Sequence, residues 1–270
     1  MIEPQDLPDG CDILRLPPRP PDAIGGGEFL AATKRLSRPD REAAIHAAVR
    51  SGNVPNFLRS FRAVVIAAPV DDGQIRSAVV YVSPDYVAIG SDSDFVRVPM
   101  ALPTARAIAW ESGCSLPTKK LVDLIWAQAT VKLSPQSMSP GAEMMSNSYY
   151  LEHNRRIELQ RAGRPVDELT AGNKKDLVLT NRLRWMPGRV AIYGWHLPTG
   201  VPIQTLSTKH GSAYADYSHG VRLVGSSMLV DRTPAAFADV LRDELLSGLV
   251  SDEGPIDLAA LPWAHSWGGR

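Results

Sequence analysis

The sequence predicts an α+β fold, with a mainly antiparallel sheet core flanked by helices. Three observations predict it. Two β-branched runs, AVVIAAPV (63–70) and IRSAVVYVS (75–83), flank Asp71-Asp72-Gly73, the pattern of a β-hairpin. Further short strands recur beyond it without regular alternation with helices. Several segments carry helix start and stop signals instead of period-two alternation.

In order along the chain, residues 1–27 are rich in Pro and Gly and read as an extended arm, packed over the body or over a partner subunit. Residues 28–36 suggest a short helix. Ser37, followed by Pro39 and Asp40, starts the next: serine caps the free amides, proline fits the first turn, and aspartate meets the positive end. Ser51-Gly52 ends it. After the hairpin, YVAIG (86–90) and FVRVPM (95–100) continue the strands. Residues 104–113 and 118–129 read as helices, the second with an apolar face of Leu121, Val122, Leu124, Ile125 and Trp126. The Ser/Pro/Met-rich stretch 133–148 is an irregular loop, and 150–162 a helix. DLVLT (176–180), RVAIYGW (189–195), VPIQTL (201–206) and VRLVGSSMLV (221–230) read as strands. Thr233-Pro234 then opens a last long helix, AAFADVLRDELLSGL. No internal repeat is visible. Residues 28–270 form one α+β domain, and 133–148 is the best candidate for a subdomain boundary.

Composition bounds the function. The chain of 270 residues is long enough to bury a core without disulfide or metal staples. Its 29 basic and 29 acidic residues balance, which argues against nucleic acid as the main partner, because phosphate binding needs a basic excess. The N-terminus has neither the basic start nor the apolar run of a secretory signal. No apolar window is long enough to span a membrane. A cytoplasmic location is the expectation. Cys11 and Cys114 lack C-x-x-C spacing and read as free thiols, although one disulfide is compatible with the count. The Pro-rich arm hints at a homodimer.

The densest chemistry lies in residues 195–223, WHLPTGVPIQTLSTKHGSAYADYSHGVRL, with His196, His210, His219, Asp216, Tyr214, Tyr217, Ser218 and Arg222. Histidine titrates near neutrality and can exchange protons during turnover. Tyrosine and arginine can stabilise developing negative charge. In this scheme His210, His219, Asp216 and Tyr217 are the catalytic candidates. Arg222, Lys174, Lys175, His196 and Ser218 are the substrate-binding candidates. His210, Asp216 and His219 are also a ligand set that zinc accepts, although their spacing matches no zinc motif. The protein otherwise needs no cofactor. A polar loop between strands also holds such residues for structural reasons alone.

Asn173-Lys174-Lys175-Asp176 precedes a strand, where lysine serves as an anion clamp or, if buried, as a base. A solvated turn is the plainer reading. Gly90-Ser91-Asp92-Ser93-Asp94 lacks the EF-hand pattern and reads as a hairpin turn. His153, beside Arg155 and Arg156, belongs to a solvated basic helix face. His46 reads as structural and His265 as packing. There is no Walker loop, no G-x-G-x-x-G and no G-x-S-x-G.

The segment KHGSAYADYSHGVRL resembles the active-site segment of L,D-transpeptidases, in His210-Gly211 and Ser218-His219-Gly220-Val221-Arg222. The cysteine nucleophile expected after Gly220 is absent, so that family's covalent mechanism does not carry over. From about Gly52 to Asp231 the chain also resembles an uncharacterised bacterial family. The likeness lies in GNVPNFLR, YVSPDYVAIGSDSDF, LPTKKLVDLIW, GNKKDLVLT and PIQTLSTKHGSAYADYSHGVRLV. That family pattern has histidine where this chain has Asn173. The resemblance implies a shared fold and names no reaction.

Three functions fit. The leading one is a hydrolase-like enzyme acting on a peptide-like or carbohydrate-derived substrate, small or oligomeric. A cofactor-independent lyase, isomerase or tailoring enzyme using acid–base catalysis fits the missing nucleophile equally. A non-catalytic ligand-binding domain is the third. It predicts no histidine of perturbed pKa, and His210 and His219 more than about 10 Å apart, since acid and base must reach one reacting group.

Overall fold

The computed structural model describes residues 14–70 and 73–262. Cys11, His265 and Asp71-Asp72 lie outside them. The arm's described part packs on the body. Leu14 is buried, and Arg19 donates to Asn53 Oδ1 (3.1 Å) and Gly90 O (3.0 Å). Helix α1 spans Gly26–Thr33 and α2 Arg38–Arg50. Ser37 caps α2 as its sequence predicts, accepting from Asp40 N.

Strands β1 (Arg62–Pro69) and β2 (Ile75–Val82) form the expected antiparallel hairpin, registered Arg62↔Val82 to Pro69↔Ile75. β3 (Ala88–Gly90) and β4 (Phe95–Arg97) pair antiparallel. The segment between them is a turn, in which Ser91 Oγ accepts from Asp94 N and Asp92 Oδ1 accepts from Phe57 N. Then follow α3 (Leu102–Glu111), β5 (Cys114–Ser115), α4 (Lys119–Gln128), β6 (Val131–Lys132), α5 (Asn147–Arg161), β7 (Thr170–Ala171) and β8 (Lys175–Leu177). The chain continues with β9 (Ile192–His196), β10 (Pro202–Ser207), β11 (His219–Gly220), β12 (Val224–Val230), β13 (Thr233–Ala236) and α6 (Phe237–Arg242).

One sheet runs β1-β2-β12-β13, with β5 also on β12, and the other runs β10-β9-β8-β11. Most pairs are antiparallel; β8–β11 and β6–β7 are parallel. The fold is α+β. The main core joins both sheets to the helices. Val64, Val80, Val82, Leu121, Leu177, Val190, Val224 and Met228 all belong to it, on both sides of 133–148. Each such side chain contributes roughly 1.5–3 kcal/mol on burial.

The last long helix is not formed. Asp231 and Arg232 adopt φ of 47° and 67°, a two-residue hairpin turn of the kind that suits strand twist. Thr233–Ala236 therefore pairs back on β12. Asp231 Oδ1 secures the turn by accepting from Ser77 N and Oγ. The helix that remains ends at Asp243, whose Oδ1 accepts from the amides of Leu245 and Leu246.

Candidate functional site

The parallel pairing of β8 with β11 sets His219 against Lys175 and Gly220 against Asp176. Antiparallel β9 sets Gly194 against Lys175 and Tyr193 against Asp176. Two sequence segments flagged for their chemistry thus become neighbours at one sheet edge. The solvated-turn reading of 173–176 fails, because Asn173, Lys174 and Asp176 are buried.

Lys174 is fully buried, and its Nζ donates to the Tyr217 carbonyl at 2.6 Å. Burial, and after it the charge of Arg97, pulls its pKa down to about 7. Lys175 is half-buried, its ammonium 4.9 Å from the centre of the Trp195 ring. Asp216 accepts from Ser218 N (2.8 Å) and Ser218 Oγ (2.6 Å) on one oxygen, and from Tyr214 OH (2.9 Å) on the other. Burial favours its neutral form, but His219 and the Ser218 bonds outweigh that and hold the carboxyl below the usual range. His219 Nε2 lies 3.9 Å from Asp216 Oδ2. Burial pushes the His219 pKa down to about 4, so its imidazole is neutral at pH 7.

His210 stacks on Tyr214, with ring centroids 4.1 Å apart, and lies 6.2 Å from His219. Acid and base separated in this way can reach one group. Among the described residues no group of three or more His, Cys, Asp or Glu is arranged to hold a metal ion.

His153 belongs to this centre, contrary to its expected solvated face. Its ring is fully buried, 4.9 Å from that of Tyr217 and 6.4 Å from that of Trp195. Burial, then the charges of Lys174 and Arg97, holds its pKa far below the ordinary histidine value. The structural signal is a stripe on α5: Tyr150, His153, Asn154, Ile157 and Arg161 are buried at three- and four-residue steps. A largely polar stripe hides from an apolar-periodicity test.

Both ring nitrogens of His219, Trp195 Nε1 and Asn173 Oδ1 are buried without a hydrogen-bond partner among the described residues, while the buried His153 ring lies against the Gln136 main chain. Each such atom costs about 1–3 kcal/mol unless something completes it. Trp195 is also held at φ 56°, a conformation that bulky residues avoid and that clusters at functional sites. Its amide donates to Lys174 O at 3.1 Å.

A second group lies beside the first. Asp176 accepts from Tyr86 OH at 2.8 Å, and burial raises its pKa to about 6. Arg222 donates to Ser83 O and Thr170 O and lies over the Tyr86 ring. Its guanidinium also lies 3.9 Å from Asp176 Oδ1. Gly220 lets Tyr86 in, since a Cβ there would sit 2.5 Å from the ring. His196 bonds Asp123 Oδ1 at 2.9 Å and stacks on Trp126. It faces α4. Tyr217 OH is occupied by the loop, accepting from Met138 N (2.8 Å) and donating to Met138 O (3.2 Å). His46 sits on α2 with Nε2 3.0 Å from Glu111. Cys114 is half-buried on β5, apart from these groups, and burial raises its thiol pKa to about 12.

Comparison with protein-family models, curated proteins and solved structures gives no match. Among the described residues no helix is long and apolar enough to cross a membrane.

Proposed function

We propose that the protein is an enzyme that transfers protons on a polar substrate bound beside Lys174, His153 and His219. The observation that carries this reading is the concentration, in one buried place, of unpartnered polar atoms around a lysine whose one hydrogen bond goes to a main-chain carbonyl. A purely structural core satisfies such groups. The short His210–His219 separation and the depressed His219 pKa favour catalysis over simple binding.

Lys174 serves as the base, His219 positioned by Asp216 as its proton-exchange partner, and Lys175 as the anion-binding cation. Arg222 holds the strands. No free serine or cysteine nucleophile belongs to the scheme, because Ser218 Oγ is committed to Asp216. Water activation on a peptide-like or carbohydrate-derived substrate is one outcome of such a base. Proton abstraction beside a carbonyl, as in a lyase or isomerase, is the other. The absence of a nucleophile and the apolar, aromatic wall of Trp195 and Tyr217 favour the second.

Peptide, saccharide and small-carboxylate pools incubated with the protein in oxygen-18 water and in deuterium oxide separate these outcomes. Deuterium at carbon without cleavage by water supports a lyase or isomerase. Oxygen-18 in the carboxyl or hydroxyl group newly freed from a cleaved peptide or saccharide supports hydrolysis. Incorporation no greater than with Lys174→Met in every pool sinks the enzymatic reading and leaves ligand binding. Elemental mass spectrometry, repeated on His210→Ala and His219→Ala, reports on zinc: stoichiometric metal lost in both variants would make His210 and His219 ligands.

A further inference from the structure

We infer that Lys174 is a nucleophile: its amine forms an imine with the carbonyl carbon of a small oxo-acid whose carboxylate meets Lys175. The inference rests on the acid–base reading above and names the substrate class of the same site.

The first ground is the hydrogen bonding of Lys174. An ammonium carries three N–H donors and, once buried, needs partners for its charge. Lys174 Nζ has one acceptor, the Tyr217 carbonyl. Its side chain is fully buried, and among the described residues no carboxylate lies within ion-pair distance of it. One carbonyl suits a neutral amine, which keeps its lone pair for attack. A lysine desolvated by burial is activated in this way.

The second ground is the surroundings. Lys174 and Lys175 both act electrostatically on Asp216 and His219. They present two amine side chains to one region, with different freedom. Lys175 lies on the Trp195 face and has no hydrogen-bond or ion-pair partner among the described residues. It is therefore available to a carboxylate. His219, 3.9 Å from Asp216, supplies a neutral imidazole for the proton transfers.

The step balances without an oxidant or reductant. The Nζ lone pair attacks the carbonyl carbon, and the carbon–oxygen π pair moves to oxygen. One proton passes from nitrogen through an imidazole to that oxygen. A second proton, drawn from solvent through the same imidazole, lets the oxygen leave as water while the nitrogen lone pair forms the C=N bond. One amine, one carbonyl and one proton give one iminium ion and one water. The iminium then accepts the electron pair of a neighbouring C–H or C–C bond; with the Lys174 nitrogen held in the iminium, the His219 imidazole takes the C–H proton that the acid–base reading assigns to the amine.

The test is reductive trapping of the intact protein. Glyoxylate, pyruvate and 2-oxoglutarate are each incubated with it and sodium cyanoborohydride, followed by intact mass measurement and peptide mapping. One reduced adduct per chain, on Lys174 and in large excess over every other lysine, is expected with at least one probe. No adduct at Lys174 with all three, or labelling spread over surface lysines, overturns the inference. Mapping the unaltered chain makes the result independent of whether Lys174→Arg folds. Proton exchange at the pyruvate methyl group in deuterium oxide, followed by NMR, separates the two failures. Exchange without trapping ends the covalent step and leaves acid–base catalysis standing. If exchange, trapping and isotope incorporation all fail, both readings go.

Discussion

At Lys174 the link between burial and pH is direct. The folded chain holds this amine near pKa 7, whereas an unfolded lysine titrates near about 10.4. Between those values the unfolded state binds more protons, so this group makes stability rise with pH across the window. Its contribution is on the order of a few kcal/mol over the full span. Urea unfolding at pH 7 and pH 10 should therefore show a smaller rise for Lys174→Met than for the parent chain. An equal rise in both would mean that the amine is charged in the folded state. His219 works on the acid side: its folded pKa of about 4 lies below the unfolded value, so its share of stability is lost as pH falls through that interval. Asp176, raised to about 6, opposes it over much of the same range.

At the scale of elements, the site is a product of strand pairing. Lys174 and His219 are far apart in sequence, and the β8–β11 pair, which sets Lys175 against His219, brings their segments together. Their residue types were legible because lysine, histidine, aspartate and tyrosine crowd two short segments. The contact was not, since parallel pairing over two residues leaves no periodic trace. Helix α5 hid its part for the opposite reason. Its buried face is made of His153, Asn154 and Arg161 as well as Tyr150 and Ile157, so hydrophobicity alone points nowhere. The capped helix α2 and the β1–β2 hairpin were legible, because capping and alternation act locally. The C-terminal helix was misread because Thr233-Pro234 suits a helix start as well as the strand that follows a left-handed turn. The loop before α5 is fastened to the site by Tyr217. Tyr217→Phe removes both bonds to Met138. It should cost about 1 kcal/mol and accelerate amide hydrogen exchange at Met138, with little change in the β1–β2 hairpin. Unchanged exchange at Met138 would show that the loop is held elsewhere.

Across the whole molecule, one buried carboxylate ties together distant parts of the chain. Asp85 accepts from Arg97 (3.0 and 2.6 Å) on β4 and from Arg161 (2.7 Å) on α5. Burial would raise its pKa, but the two arginines outweigh that and hold it well below the usual carboxylate range. Arg161 also reaches Thr170 on β7. Asp85→Asn would leave the two buried guanidinium groups with the half-buried Glu158, 2.8 Å from Arg97 and 3.5 Å from Arg161, as their paired carboxylate. A loss of about 3–5 kcal/mol in urea unfolding is expected. A loss below about 1 kcal/mol, the range of an exposed pair, would mean that solvent reaches the cluster.

Tyr217 has two ends with different tasks. Its carbonyl is the acceptor for Lys174 Nζ, and its hydroxyl clasps the loop at Met138. Through these two ends one residue couples the position of the loop at Met138 to the single hydrogen bond that Lys174 Nζ makes.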